Sequence, residues 1–161
     1  MGLRLINIIT TINNGDDIAV AHTISTLVPY CKITDFDSGF EGLIGQIDVD
    51  RVYHDCEVLG LTDKYNVSNA DEAMENVFLF EEKVLEISIC FPKQKFAYID
   101  MDCFGGVCLY EGFVALGGRR IFEQEMQESG HINLLKALAP DFCGYYFEPF
   151  TREFLKENGW R

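Results

Sequence analysis

The sequence predicts an α+β fold in which an antiparallel β-meander packs against several short helices in a single domain, residues 1–161. Apolar and polar residues alternate in runs between residues 84 and 124, and paired glycines separate these runs. Segments with helical apolar spacing lie before and after them. No repeat or low-complexity linker divides the chain, which favours one domain.

The chain is predicted to begin with a strand and an amphipathic helix. Residues 1–12 form an apolar run that is too short to cross a membrane and lacks a small-residue cleavage site. A turn and a helix N-cap are expected in residues 13–17. The helix then extends over residues 18–28, because apolar residues recur there at helical spacing until Pro29.

The next segment predicts short strands and a second helix. A loop is expected at residues 35–42, with strands at 43–49 and 52–61. The second helix begins near Ser68 or Asn69, because each is followed three residues later by an acid, as in a capping box.

The predicted meander follows this helix. Strict alternation predicts a strand from Leu85 to Phe91, ended by a turn at residues 92–95. Further strands are expected at 96–102, 107–116 and 120–124, separated by Gly105-Gly106 and Gly117-Gly118.

Two helices are predicted after the meander. Ser129 can cap a short helix at residues 132–138, which ends at Pro140. Pro149 suits the first turn of a last helix, which ends at Asn158-Gly159.

Charge and cysteine content narrow the classes of function. The chain has 26 acidic and 13 basic residues and a net charge of −13, and it has no basic run that could bind the phosphates of a nucleic acid. No membrane anchor is expected. The six cysteines lie mostly in apolar stretches and are expected to be reduced core residues, which predicts a cytoplasmic protein.

No residue pattern predicts a catalytic centre or a cofactor. His54 and Cys56, with Cys103 and Cys108, lack the spacing of zinc knuckles. The glycines between Gly39 and Gly45 surround an acid and precede no phosphate-binding lysine. The remaining nucleophile and base candidates lack a reactive partner at a diagnostic spacing: Ser25, Ser38, Cys103, His22 and His131.

Carboxylates supply two further hypotheses. Asp100 and Asp102 lie two apart in a predicted strand and share a face, where Glu111 of the next strand can approach. These three could hold Mg²⁺ or Mn²⁺, or form a solvated acidic face. Acids also mix with aromatics in residues 35–41 and 145–150, as in protein contact surfaces.

One segment resembles a known class of proteins. The stretch Tyr98-Ile99-Asp100-Met101-Asp102-Cys103-Phe104-Gly105-Gly106, followed by a strand and Gly117-Gly118, resembles small cytosolic immunity proteins of bacterial polymorphic or contact-dependent toxin systems. The resemblance covers residues 84–125, about a quarter of the chain. It implies a stoichiometric inhibitor without catalytic machinery.

The leading hypothesis is a cytoplasmic protein that neutralises a basic toxin, such as a nuclease with a cationic groove. Its expected partner-binding residues are Asp35, Asp37, Asp100, Asp102 and Glu111. The alternatives are a metal-dependent enzyme that uses Asp100, Asp102 and Glu111, or an adaptor without a toxin partner.

Overall fold

The computed structural model describes residues 2–12 and 15–159. It consists of one β-sheet with a layer of helices on each face. In these ranges the strands are β1 (Leu3–Thr11), β2 (Lys32–Asp37), β3 (Glu41–Asp48), β4 (Phe96–Phe104), β5 (Val107–Leu116) and β6 (Arg119–Gln127). They form one sheet in the order β2-β3-β1-β4-β5-β6, and all neighbours are antiparallel. The predicted α+β class is confirmed.

Helices cover both faces of the sheet. The first face, which carries Ile6 and Ile8, packs against the helices α1 (Asp17–Leu27), α2 (Val49–His54), α3 (Leu61–Tyr65), α4 (Ala70–Val77) and α5 (Phe80–Cys90). The second face, which carries Leu5 and Ile9, packs against α6 (Gly130–Leu138), a short 3-10 helix (Glu148–Phe150) and α7 (Arg152–Glu157). Strand alternation divides these neighbouring residues between two cores.

Most predicted elements are confirmed. The strands expected at residues 1–12, 43–49, 96–102, 107–116 and 120–124 correspond to β1, β3, β4, β5 and β6. The helix expected at 18–28 is α1; its N-cap residue Asp16 makes no side-chain capping bond, and Asn13 and Asn14 of the predicted turn lie outside the described residues.

The capping box predicted before residue 70 is present at α4. The Asn69 side chain accepts a hydrogen bond from the Glu72 amide at 3.0 Å. The Glu72 carboxylate in turn accepts one from the Ser68 amide at 2.9 Å. One amide of the first turn, that of Glu72, and one just before the N-cap, that of Ser68, are thereby satisfied.

The strand predicted at residues 85–91 is wrong, because this segment lies in α5. The buried residues Phe80, Val84 and Ile87 recur at helical spacing. Ile89 would share a strand face with Ile87, yet Ile89 is 62% exposed and Ile87 is fully buried. Packing against the sheet therefore selects the helix, and β1 occupies the place beside β4.

Residues 52–61 also differ from the prediction. The segment contains the end of α2, a turn and the start of α3, with Val52, Cys56 and Leu61 buried in the first core. Residues 35–42 are not one loop, because β2 continues to Asp37 and a tight turn leads into β3. A short apolar run fits either a strand or a short helix, and here contact with the sheet decides.

The C-terminal elements are close to the prediction. The predicted helix at 132–138 is α6, although Ser129 makes no side-chain capping bond. Pro149 lies in the 3-10 helix, and the Thr151 hydroxyl then caps α7 by accepting from the Phe154 amide at 3.3 Å. Asn158 is the C-cap residue of α7, which ends at Glu157.

The prediction of six reduced cysteines is wrong for one pair. Cys103 and Cys108 are opposite each other in β4 and β5, and they form a disulfide bond. The tight turn at Gly105-Gly106 brings the two strands together at this point, with 4.0 Å between the two Cα atoms. The other cysteines are free: Cys31, Cys56, Cys90 and Cys143.

We expect alkylation of the unfolded, unreduced protein to label the four free cysteines, Cys31, Cys56, Cys90 and Cys143. After reduction, six should be labelled. Iodoacetamide labelling in guanidinium chloride, followed by mass spectrometry, measures both numbers. A Cys103→Ala/Cys108→Ala variant is the control and should give the same number before and after reduction. Labelling of all six before reduction would show that the pair is not bonded.

Candidate functional site

The helical layer leaves the first face of the sheet open beside the start of α5. Two adjoining depressions of about 540 and 700 Å³ lie there, and Glu81, Tyr98, Glu111 and Arg120 line both. We call them together the acidic cleft. Among the described residues its charged lining consists of six carboxylates and two guanidinium groups: Glu81, Glu82, Asp100, Glu111, Glu123 and Glu125, with Arg4 and Arg120.

Asp100 lies in the cleft wall as half of an internal ion pair. Arg4 Nη2 donates to Asp100 Oδ2 at 2.6 Å, and Arg4 Nε donates to Oδ1 at 3.2 Å. The Asp100 side chain is 4% exposed and that of Arg4 is 52% exposed. The hydrogen bond to Asp100 is the main cause of a raised pKa of Arg4. The Asp100 carboxylate is therefore already paired with a cation of its own chain, the guanidinium of Arg4.

Glu111 is one of three cleft carboxylates, with Glu82 and Glu125, that form no hydrogen bond or ion pair with any described residue. It lies opposite Asp100 in the β4–β5 register, as the sequence predicts. Its side chain is half-buried and forms no hydrogen bond or ion pair with any described residue. Asp102 is two residue pairs nearer the β4–β5 turn and is exposed. Of the predicted partner-binding residues on β4 and β5, Glu111 and Asp102 therefore remain available to bind a partner.

An aromatic pair, Tyr98 and Phe113, lines the cleft together with Glu111 and Arg120. The Tyr98 and Phe113 rings are stacked, with 5.3 Å between their centroids. The Arg120 guanidinium carbon lies 4.2 Å from the Phe113 centroid, and Nη2 donates to Glu81 Oε2 at 2.6 Å. Arg120 thereby joins β6 to α5 across the cleft, through both a cation–π contact and an ion pair.

Asp35 and Asp37 are not part of this cleft. Both lie in the edge strand β2 and are exposed. Three strand spacings, about 14 Å, separate β2 from β4. Asp35 is also level with Phe96 rather than with Asp100 through the successive strand pairings. The structure therefore divides the predicted partner-binding residues into two groups.

The predicted metal ligands have other contacts. In residues 2–12 and 15–159, no group of three or more His, Cys, Asp or Glu side chains could hold a metal ion. Asp100 binds Arg4, and Cys103 is bonded to Cys108.

The other polar candidates are exposed or take part in packing. Ser25 and His22 are exposed on α1, whereas the buried Ser38 hydroxyl accepts from the Glu148 amide at 2.9 Å. His131 packs on Tyr110, with 4.1 Å between ring centroids, and its Nδ1 is enclosed without a hydrogen-bond partner. Burial lowers the pKa of His131 to about 4. The imidazole is therefore neutral at pH 7.

Sequence reasoning did not identify four cleft residues: Arg4, Glu81, Tyr98 and Arg120. A signal was available for Tyr98, because it has the same strand parity as Asp100. None was available for Arg4, which meets Asp100 from 96 positions away. Glu81 was missed because the segment beside it was interpreted as a strand.

None of the helices in residues 2–12 and 15–159 combines the length and apolarity needed to cross a bilayer. No protein-family model, curated protein or solved structure matches this chain.

Proposed function

We propose that this protein is a cytoplasmic immunity protein that binds a cationic toxin domain, a nuclease in the first instance, and blocks it stoichiometrically. The observation that supports this most is the acidic cleft. It is open, its carboxylates outnumber its guanidinium groups, and Glu111 has no partner within the described residues. The resemblance of residues 84–125 to immunity proteins favours the same class of function.

Charge supplies the attraction to such a partner. The chain carries a net charge of −13, and the active groove of a nuclease must be cationic to bind phosphates. A negative cleft raises the rate of encounter with a positive surface and selects against acidic partners. The protein would therefore occupy the groove in place of nucleic acid.

Apolar side chains near the cleft supply contact area. Phe78 and Leu79 line the cleft and are 46% and 44% exposed. Phe104 and Val107 at the β4–β5 turn are 76% and 47% exposed. Exposed aromatic and aliphatic residues beside charged ones are typical of interfaces in which a few apolar anchors supply most of the binding energy.

The test starts with a search of the neighbouring genes for a basic toxin domain, whose absence would count against the immunity function. Two double variants are then compared for binding to that domain by surface plasmon resonance. Asp102→Lys/Glu111→Lys reverses one charge in the cleft, at Glu111, and one just beyond it on β4, at Asp102. Asp35→Lys/Asp37→Lys reverses two charges at the β2 edge and is the control, because it changes the net charge equally. We expect the cleft variant to lower the association rate about tenfold and to weaken its salt dependence, with a smaller effect in the control.

Several outcomes would contradict the proposal. Equal effects in both variants would show that net charge acts without a docking site in the cleft. A neighbouring toxin domain that is neither bound nor inhibited at a one-to-one ratio would exclude the immunity function for that pair. Turnover of a substrate that is lost in Asp100→Asn would identify an enzyme instead.

A further inference from the structure

Tyr98 is a nearly enclosed residue whose hydroxyl has no protein partner. The residue is 6% exposed and lines both depressions of the acidic cleft. Its hydroxyl forms no hydrogen bond with any described residue. The hydroxyl is also accessible from outside the protein. Among the described residues, the side-chain polar atom that is both fully enclosed and unpartnered is His131 Nδ1, not the Tyr98 oxygen. The Tyr98 hydroxyl therefore meets the open space of the cleft and is free to bond a ligand.

Burial keeps this hydroxyl protonated. The pKa of Tyr98 is raised, first by burial and then by the nearby carboxylates of Asp100 and Glu81. A neutral phenol can donate one hydrogen bond and accept another. Beside carboxylates, its oxygen can accept from a cationic donor that those carboxylates attract.

The cleft already binds two guanidinium groups of its own chain, that of Arg4 on Asp100 and that of Arg120. The second of these shows how an aromatic ring takes part. This group stacks on Phe113 and donates to the Glu81 carboxylate at 2.6 Å. An aromatic face and a carboxylate together match the planar, forked shape of a guanidinium. The contacts of Arg120 show which chemistry this cleft accommodates.

Tyr98 and Glu111 offer a hydroxyl and a carboxylate that have no occupant among the described residues. Tyr98 pairs with Phe113, and the next pair on the same face is Asp100 with Glu111. Tyr98 and Glu111 are therefore diagonal neighbours across two strands, with about 7 Å between their Cα atoms. A guanidinium can donate to both side chains at once over this separation.

We propose that Tyr98 and Glu111 form a receptor for one arginine side chain of the protein partner. The inference rests on the proposed function and names the chemical group that the partner must present. Glu111 supplies the charge, and the Tyr98 hydroxyl and ring edge orient the plane of the guanidinium. Lysine fits less well, because its ammonium is a point charge that cannot bridge the two groups in a plane.

The experiment is a titration of the isolated protein with N-acetyl-arginine amide, followed by two-dimensional NMR. We expect saturable shifts around Tyr98, Glu111 and Phe113 with a millimolar dissociation constant, as befits a single side chain. N-acetyl-lysine amide should bind at least fivefold more weakly. Glu111→Gln should weaken arginine binding at least tenfold, and Tyr98→Phe severalfold. Asp141→Asn, at an exposed residue after α6, is the control and should leave the binding unchanged.

Shifts that do not saturate, or that persist unchanged in Glu111→Gln, would overturn the receptor. Equal affinity for the arginine and lysine amides would overturn the preference for a guanidinium. Neither result depends on the toxin domain. If the toxin domain binds and the arginine amide does not, the proposed function stands and the receptor fails. If the arginine amide binds and the toxin domain does not, the receptor stands and the proposed function fails.

Discussion

Gly112→Ala is expected to lower the free energy of unfolding by about 3 kcal/mol, since the new methyl group has no space. A Cβ atom built at Gly112 lies 1.8 Å from the carbonyl oxygen of Tyr98. That oxygen belongs to β4, which is held between β1 and β5 and cannot retreat without loss of strand pairing. The β5–β6 register is also irregular between Tyr110 and Gly112.

Urea unfolding monitored by circular dichroism measures the effect. Gly105→Ala is the matched control, because Gly105 also has a positive φ of 61° but nothing lies within 4 Å of its built Cβ. The control should cost about 1 kcal/mol, from the backbone conformation alone. Similar losses in both variants would show that the contact with Tyr98 is relieved by a small shift.

Local sequence patterns predicted the strands β4, β5 and β6 well. In the segment that became β4 and β5, side-chain parity places Asp100, Asp102 and Glu111 on one face, and the observed register pairs Asp100 with Glu111. Two glycines mark the β4–β5 turn, Gly105 and Gly106. Turn chemistry and strand alternation act over a few residues, so a single sequence contains the information that sets them.

Tertiary packing explains where prediction failed. Residues 85–91 alternate as a strand does, but their apolar positions also fit a helix, and the fit to the sheet selects α5. The error matters for the site, because the start of α5 supplies Glu81 to the acidic cleft. Short apolar runs without a diagnostic turn remain ambiguous until their packing partner is known.

The candidate site was predicted only in part, for a similar reason. Asp35 and Asp37 resemble the cleft acids in composition, but the strand order places β2 at the opposite edge of the sheet. Composition does not encode strand order, which follows from contacts between distant segments. The role of Asp100 depends on such a contact too, because its partner Arg4 lies in β1.

Arg4→Met is expected to lower the free energy of unfolding by about 2 kcal/mol, because it leaves the Asp100 carboxylate buried without its counter-charge. The exposed position of Arg4 limits the loss, since water can approach the carboxylate once the guanidinium is gone. Asp100→Asn in the Arg4→Met background removes the unpaired charge and should restore part of the stability. The coupling free energy of the double-mutant cycle measures the pair itself.

Arg51→Met is the control for this prediction, because Arg51 and Asp55 form an exposed pair at 3.7 Å whose loss should cost less than about 0.5 kcal/mol. Equal losses for Arg4→Met and Arg51→Met in urea unfolding would contradict a structural role for the buried pair. A larger loss for Arg4→Met, with partial rescue by Asp100→Asn, would place Asp100 among the residues that build the cleft wall. The proposed docking would then rest on Glu111 and Asp102, whose carboxylates form no hydrogen bond or ion pair with the described residues.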